Sequence, residues 1–189
     1  MLTKFTALAM GVLLSVSALA ADMTTLTRQA QSGDVAAQHN LADEYYQQGN
    51  HAKVFEWFTK AAHQGDAQAQ YNLGVMYAQG LGVRQDYHKA FEWFTKAAGQ
   101  GHADAQYELG VMYAQGHGVR QDYQKAFEWY TKAANQGYTL AQNNLGVMYE
   151  NGQGVRQNKS TAKRYYGQAC DHGNQLGCDH YRRLNQQGY

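Results

Sequence analysis

The stretch "AQYNLGVMYAQGLGVRQDYHKAFEWFTKAAGQG", Ala69 to Gly101, recurs 36 residues later from Ala105 to Gly137. Over one full period, Ala69–Asp104 and Ala105–Leu140 share 28 of 36 residues. Its pentapeptide LGVMY stands at Leu73–Tyr77, Leu109–Tyr113 and Leu145–Tyr149. A further unit begins at Ala141 and diverges gradually. An earlier one begins at Ala37 and is four residues shorter, the deficit falling between Gln48 and Lys53. Trp57, Trp93, Trp129 and Tyr165 mark one site in four successive units. Such a period means that each unit is one supersecondary element that buries its apolar face only against its neighbours. An enzyme needs its site once, whereas a stack needs its packing residues in every unit.

The pattern inside a unit is helical. Ala69, Leu73, Val75, Met76 and Tyr77 share one broad face, and Ala90, Phe91, Trp93, Phe94, Ala97 and Ala98 share another. Two helices of about 13 residues follow, each roughly 20 Å long, called A and B below. Gly80 and Gly82 separate A from B. Asp86, Asp122 and Asn158 stand where an N-cap of helix B belongs, and Asp66 caps the next helix A. The chain has no proline, so glycine ends every helix. Gly74, Gly110 and Gly146 lie inside helix A, at a cost of about 1 kcal/mol each relative to alanine. The expected reason is steric: helix B crosses there, with Trp93 and Phe91 filling the wider space. The fold class is an all-α solenoid of helix-turn-helix repeats.

Residues 1–20 read as a signal peptide. Lys4 supplies the positive start, Ala7–Ala20 is uncharged, and Ala18-Leu19-Ala20 gives a small-x-small cleavage site. An uncleaved anchor is the alternative, but the apolar run is short of the roughly 20 residues a spanning helix needs. After cleavage the chain is 189 − 20 = 169 residues and formally neutral, with 16 − 1 = 15 basic residues against 15 acidic. Nothing in that balance argues for nucleic acid. From Arg156 onward six basic residues face two acids, so this end is net +4 and the rest net −4.

The consensus A-x-x-x-L-G-x-x-Y-x-x-G-x-G-V-x-x-D-x-x-K-A-x-x-W-[FY]-x-K-A-A-x-x-G, satisfied twice, resembles the Sel-one-like repeat family, relatives of the tetratricopeptide repeats. The first unit departs from it, with Ala42 at the glycine position and no G-x-G-V turn. The resemblance implies a right-handed superhelix with repeats at 35–66, 67–102, 103–138 and 139–173. A cap helix at 24–34 precedes them. A closing helix within 174–189, read from Gly177 to Gln187, places Tyr181 at the Leu73 position and leaves Arg182, Arg183 and Asn185 without partners. It also implies a concave surface lined by helix A. The groove residues are then His39, Asp43 and Tyr46 in the first unit, and Gln68, Tyr71, Val75 and Gln79 in the second. The third supplies Asp104, Tyr107, Val111 and Gln115, and the fourth Leu140, Asn143, Val147 and Asn151. No lysine or arginine lies on helix A of these units. Tyr71 and Tyr107 either face the groove or pack between repeats; the sequence leaves both open.

Three sets of residues could carry chemistry. Cys170 and Cys178 are the only cysteines, and an exported chain makes a disulfide the default. The alternative is metal, since "CDHGNQLGCDH" adds His172 and His180 to the two thiols. The resemblance favours the bridge, because cysteine-rich exported members pair cysteines at this separation. Ser160 to Lys163, "STAK", matches the S-x-x-K of penicillin-interacting enzymes, but the companion S-D-N and K-T-G motifs are absent. Some cysteine-rich relatives are associated with β-lactams, which keeps that reading in view.

The expected function is an exported, non-catalytic scaffold that binds a protein or peptide partner on helix A. It needs no metal and no cofactor, and it is expected to be a monomer in the periplasm or outside the cell. The alternatives are an enzyme acting on β-lactams or cell-wall peptides through Ser160, and an adhesion or invasion factor.

Overall fold

The computed structural model describes residues 22–189; the expected signal peptide lies outside the described residues. Among them are ten helices and no strand. A first helix, α1 (22–31), precedes α2 (Val35–Gln47), α3 (His51–His63), α4 (Ala67–Gln79), α5 (Tyr87–Gly99) and α6 (Ala103–Gln115). Then come α7 (Tyr123–Asn135), α8 (Thr139–Asn151), α9 (Lys159–Asp171) and α10 (Gln175–Gln186). The extensive contacts run between consecutive helices, from α2 with α3 through to α9 with α10. The helices therefore stack in chain order as an all-α repeat solenoid. No described helix is long and apolar enough to cross a membrane.

Local chemistry starts each helix where the sequence places its caps. The Asp86, Asp122 and Asn158 side chains accept from the backbone N–H three residues on, at 3.1, 3.0 and 2.9 Å. Asp66 does so for α4 at 2.6 Å. The A–B turn is held by its second glycine. A Cβ on Gly82, Gly118 or Gly154 would lie 2.2–2.3 Å from the carbonyl oxygen of His51, Tyr87 or Tyr123. The turn of one unit thus rests on the first turn of the preceding helix B. Asn50 caps α3 in the shortened first unit.

Leu41, Leu73, Leu109 and Leu145 form the buried row, joined by pairs of alanines such as Ala61–Ala62 and Ala97–Ala98. The glycine inside helix A has the expected steric cause, but its partner differs from the expectation. A Cβ on Gly74 would stand 2.6 Å from the Phe94 ring; on Gly110 and Gly146 it would stand 2.5 Å from Tyr130 and Tyr166. That aromatic, one residue after the tryptophan, presses against the helix A backbone. The tryptophans pack elsewhere: Trp57 and Trp93 are buried and Trp129 half-buried, with Lys60, Lys96 and Lys132 lying 3.8–3.9 Å over their rings.

A second repeating element was not read from the sequence. Gln38, Gln70, Gln106 and Gln142 are buried. Gln70 donates to the Ala62 carbonyl, and its own Oε1 accepts from Gln100 at 2.8 Å. Gln136 donates likewise to Gln106, and Gln64 to Gln38. Each unit's helix A is thereby stitched to the helix B before it and the helix B after it, with the buried amides satisfied.

The closing helix keeps the expected register, although it starts two residues before the start read from the sequence: its cap Asn174 and first residue Gln175 stand 108 residues (174 − 66, 175 − 67), three periods, after Asp66 and Ala67. Tyr181, at the Leu73 position, is nevertheless 39% exposed, whereas Leu184, at the Met76 position, is buried as Met76 is. Gly177, at the Ala69 position, makes the contact with α9 close. Its Cβ would meet the Ala169 Cβ at 2.8 Å and the Tyr166 carbonyl at 3.0 Å, so α10 approaches α9 backbone to backbone.

Candidate functional site

The helix A members α2, α4, α6 and α8 carry all fifteen expected groove residues. Gln68, Gln79, Gln115 and Asn151 are exposed, as are Asp43, Tyr46 (57%) and Leu140 (44%). His39, Tyr71, Val75, Asp104, Tyr107, Val111 and Val147 are half-buried. Asn143 is a correction: it is only 5% exposed, with Oδ1 buried and unpartnered, and does not line an open face. Its side chain is too short to reach outward from the register at which Tyr71 and Tyr107 do so.

A cavity of about 360 Å³ opens on this face between α2, α3 and α4. Val54, Phe58, Val75, Met76 and Leu81 make an apolar floor, and Asp43, Tyr46, His51, Tyr71, Asn72 and Gln79 make the rim. Five expected groove residues meet there. A smaller cavity of about 200 Å³ is lined by Tyr123, Tyr130, Asn144, Val147, Met148 and Gln153. Those six match His51, Phe58, Asn72, Val75, Met76 and Leu81, each 72 residues on (130 − 58, 144 − 72), two 36-residue periods. One dimple thus recurs along the stack. Its size depends on what stands at its mouth. Between the second and third units Tyr87 stacks on His117 at 4.8 Å, whereas the first interface has His51 and Leu81 at those positions. His51 Nδ1 is buried there without a hydrogen-bond partner. The substitution of tyrosine by His51 was the signal in the sequence that could have found the larger cavity.

Beyond this cavity lies a tyrosine and carboxylate cluster. Tyr71 lines the cavity and also stacks on His102 at 4.9 Å. His102 in turn meets Gln68 Oε1 at 3.0 Å. One unit on, Tyr107 packs against Tyr138 at 5.0 Å and Tyr130 at 5.6 Å. Tyr71 and Tyr107 therefore pack between repeats with one side and leave the other open. The Tyr138 hydroxyl lies beside the Asp104 carboxylate. Asn144 lies beside the Tyr107 and Tyr130 hydroxyls. Glu108, one turn after Asp104, has no hydrogen-bond or ion-pair partner among the described residues.

The electrostatics are those of desolvated oxygen acids with no lysine or arginine paired to them among the described residues. Burial, then Asp104, raises the Glu108 carboxyl above the usual range. Burial, then Glu108 and Asp104, pushes the Tyr71 phenol up to about 12. Tyr107 is raised by burial and Glu108. Tyr138 is raised by burial and by Asp104. All four stay protonated more readily than free side chains, and the site favours an arriving positive charge.

The C-terminal candidates resolve differently. Cys170 and Cys178 form a disulfide with Cα atoms 4.5 Å apart, so the two sulfurs are not thiolate ligands. His172 meets Gln142 Oε1 at 3.1 Å and continues the buried amide row, while His180 packs edge-on against Tyr166. Ser160 is exposed at the start of α9. Lys163 donates to Asn185 Oδ1 at 2.7 Å and to the Tyr189 carbonyl, so its ammonium is engaged by the closing segment. Arg183 was expected to be unpartnered; it forms two 2.7 Å hydrogen bonds to Glu150, which also accepts from the Tyr166 hydroxyl.

The Sel1 repeat matches this chain four times, at residues 35–66, 67–102, 103–138 and 139–174. The chain belongs to the Sel1 repeat family. Solved Sel1 structures superpose on it. A protective antigen present in uropathogenic Escherichia coli strains, displaying an SLR fold, is 33% identical with a TM-score of 0.73 over 88% of this chain and 44% of its own. A Sel1 repeat protein from Oxalobacter formigenes is 28% identical with a TM-score of 0.75, over 82% and 63%. This chain thus spans less than two thirds of either. Cysteine rich protein B of Helicobacter pylori shares the fold, at 22% identity and a TM-score of 0.55 over 69% and 95%. No curated protein matches. Sel1 repeat proteins are generally protein-interaction scaffolds without catalysis of their own.

Proposed function

We propose that this Sel1 repeat protein is an exported, non-catalytic scaffold that holds a segment of a protein partner against α2, α4, α6 and α8. The observation that carries the reading is the cavity of about 360 Å³ on that face, apolar below and polar at its rim, contiguous with the half-open tyrosines. Such a cavity suits one large side chain of an incoming segment. The Cys170–Cys178 bridge supports a compartment outside the cytoplasm. Cleavage after Ala20 belongs to the same reading.

A photo-crosslinking residue tests it. Placed at exposed Gln79 or Gln115 on helix A, it captures the partner in intact cells. Placed at exposed Glu92 or Glu128 on helix B, it does not. Equal capture from both faces defeats the assignment. The likeness to a protective antigen supports a second reading, in which the partner belongs to a host. Protease digestion of intact cells separates the two: a host-facing protein is cleaved without permeabilisation.

A further inference from the structure

We propose that the partner segment carries a basic side chain next to an apolar one, the apolar group filling the cavity between α2, α3 and α4 and the basic group meeting Asp104 and Glu108. This rests on the helix A reading above and adds the chemistry of what binds there.

The charge distribution comes first. The four helices α2, α4, α6 and α8 carry Asp43, Glu44, Asp104, Glu108 and Glu150 and no lysine or arginine. Glu150 is neutralised by Arg183, and Asp43 lies 3.6 Å from His39. Among the described residues, Asp104 and Glu108 have no cation of their own beyond His102, 3.8 Å from Asp104. They stand four residues apart on one helix, where like charges repel. The two earlier turns of this register in the second unit hold Gln68 and Asn72, so both acids are departures from an otherwise near-identical unit. A half-buried carboxylate without a partner leaves the free protein less stable than an amide would, and a cation from outside offsets that cost.

The surroundings select a side chain rather than a free ion. The tyrosines Tyr71, Tyr107 and Tyr138 offer ring faces and edges beside the two acids, a setting in which a guanidinium or ammonium gains from the ring and its aliphatic stem gains from contact. Tyr71 is common to both halves. One part of it lines the apolar cavity, while its ring reaches across to His102 at the start of α6, two residues before Asp104. The two subsites are therefore neighbours that a short stretch of one peptide reaches together.

The test uses fluorescently labelled nonapeptides on a Gly-Ser background, each with one Phe and one Lys separated by one to five residues. Matched sets replace Lys by Glu or by norleucine, and Phe by Ser. Binding to the purified protein is followed by fluorescence polarisation. At least one Phe/Lys spacing binds about tenfold tighter than its Glu and norleucine counterparts. The combined Asp104→Asn and Glu108→Gln variant, isosteric with the native pair, erases that preference. Glu108→Lys reverses it towards the Glu set. Val75→Phe, which fills the cavity, and Tyr46→Ala, at its exposed rim, remove the dependence on Phe; thermal melts show that each variant is folded. Equal binding of the norleucine set, still lost in Val75→Phe, overturns the charge assignment and leaves the helix A face standing. Binding indifferent to every variant overturns both. No binding of any peptide up to about 1 mM overturns the basic-apolar pairing, whatever the crosslinks show.

Discussion

Gly74→Ala and Gly99→Ala are the same chemical change in neighbouring helices of one unit, and the structure gives them opposite signs. In α4 the new methyl would stand 2.6 Å from two carbons of the Phe94 ring, about 1 Å inside an ordinary contact. Phe94 is itself 2% exposed, so the ring has no free space to enter. Overpacking of a filled core costs about 1–3 kcal/mol, against about 1 kcal/mol returned by alanine's helix propensity, which leaves a net loss of about 1 kcal/mol. At the last residue of α5 the Gly99 methyl meets nothing within 4 Å, and the propensity gain of about 0.5 kcal/mol stands alone. Urea unfolding followed by circular dichroism separates two variants about 1.5 kcal/mol apart. Shrinking the partner supplies the control: in a Phe94→Leu background Gly74→Ala becomes neutral or stabilising, a coupling of the kind expected for touching residues. If Gly74→Ala stabilises as Gly99→Ala does, and Phe94→Leu leaves its effect unchanged, the steric account of LGVMY is wrong.

Three further outcomes follow from the same contacts. Replacing Cys170 and Cys178 by Ser lowers stability by about 2–3 kcal/mol on the chain-entropy argument and speeds hydrogen exchange in α10; two titratable thiols in the native protein without reductant would contradict the bridge. Glu108, whose folded pKa is raised, detracts from stability once ionised, so native stability is full at acid pH and falls as pH rises through the raised value; Glu108→Gln melts higher than wild type at pH 7 and converges with it below about pH 4, and a parallel offset at both pH values would deny the shift. Glu150 has the opposite sign, because Arg183 holds its carboxyl below the usual range; the stability it lends is present above the unfolded value and lost as pH falls through the lowered one. Arg183→Met therefore costs about 1 kcal/mol at neutral pH and progressively less as the pH falls through the lowered value, read from urea midpoints.

Most of the fold could be read directly from the repeat. The 36-residue spacing, the caps at Asp66, Asp86, Asp122 and Asn158, and the glycine within LGVMY each correspond to an observed contact, because each acts within one hairpin or between adjacent ones. What escaped depends on departures from the repeat. The identity of Phe94, rather than Trp93, as the residue against Gly74 turns on which side of α5 meets α4. The period gives the register of α10 but not the exposure of Tyr181, which holds the Leu73 position on a helix whose extensive contacts are with α9 alone. Arg183 finds Glu150 across 33 residues, a separation that no local pattern encodes. The helix A face was legible as a row of positions. Its division into an apolar cavity and an acidic tyrosine cluster was not, because that depends on His51 and Leu81 standing where Tyr87 and His117 stand one unit later.

The clasp on α10 has a meaning beyond the energy of one bond. Every interior interface here joins the helix B of one unit to the helix A of the next, and those units are nearly interchangeable. An end left bare is therefore a template, ready to accept the first helix of another molecule and, head to tail, to grow a fibre with no natural stopping point. With Cys170 tied to Cys178 and Arg183 clamped on Glu150, α10 is held over the face that α9 would otherwise leave bare. The bridge thus keeps that template covered by a helix of the same molecule.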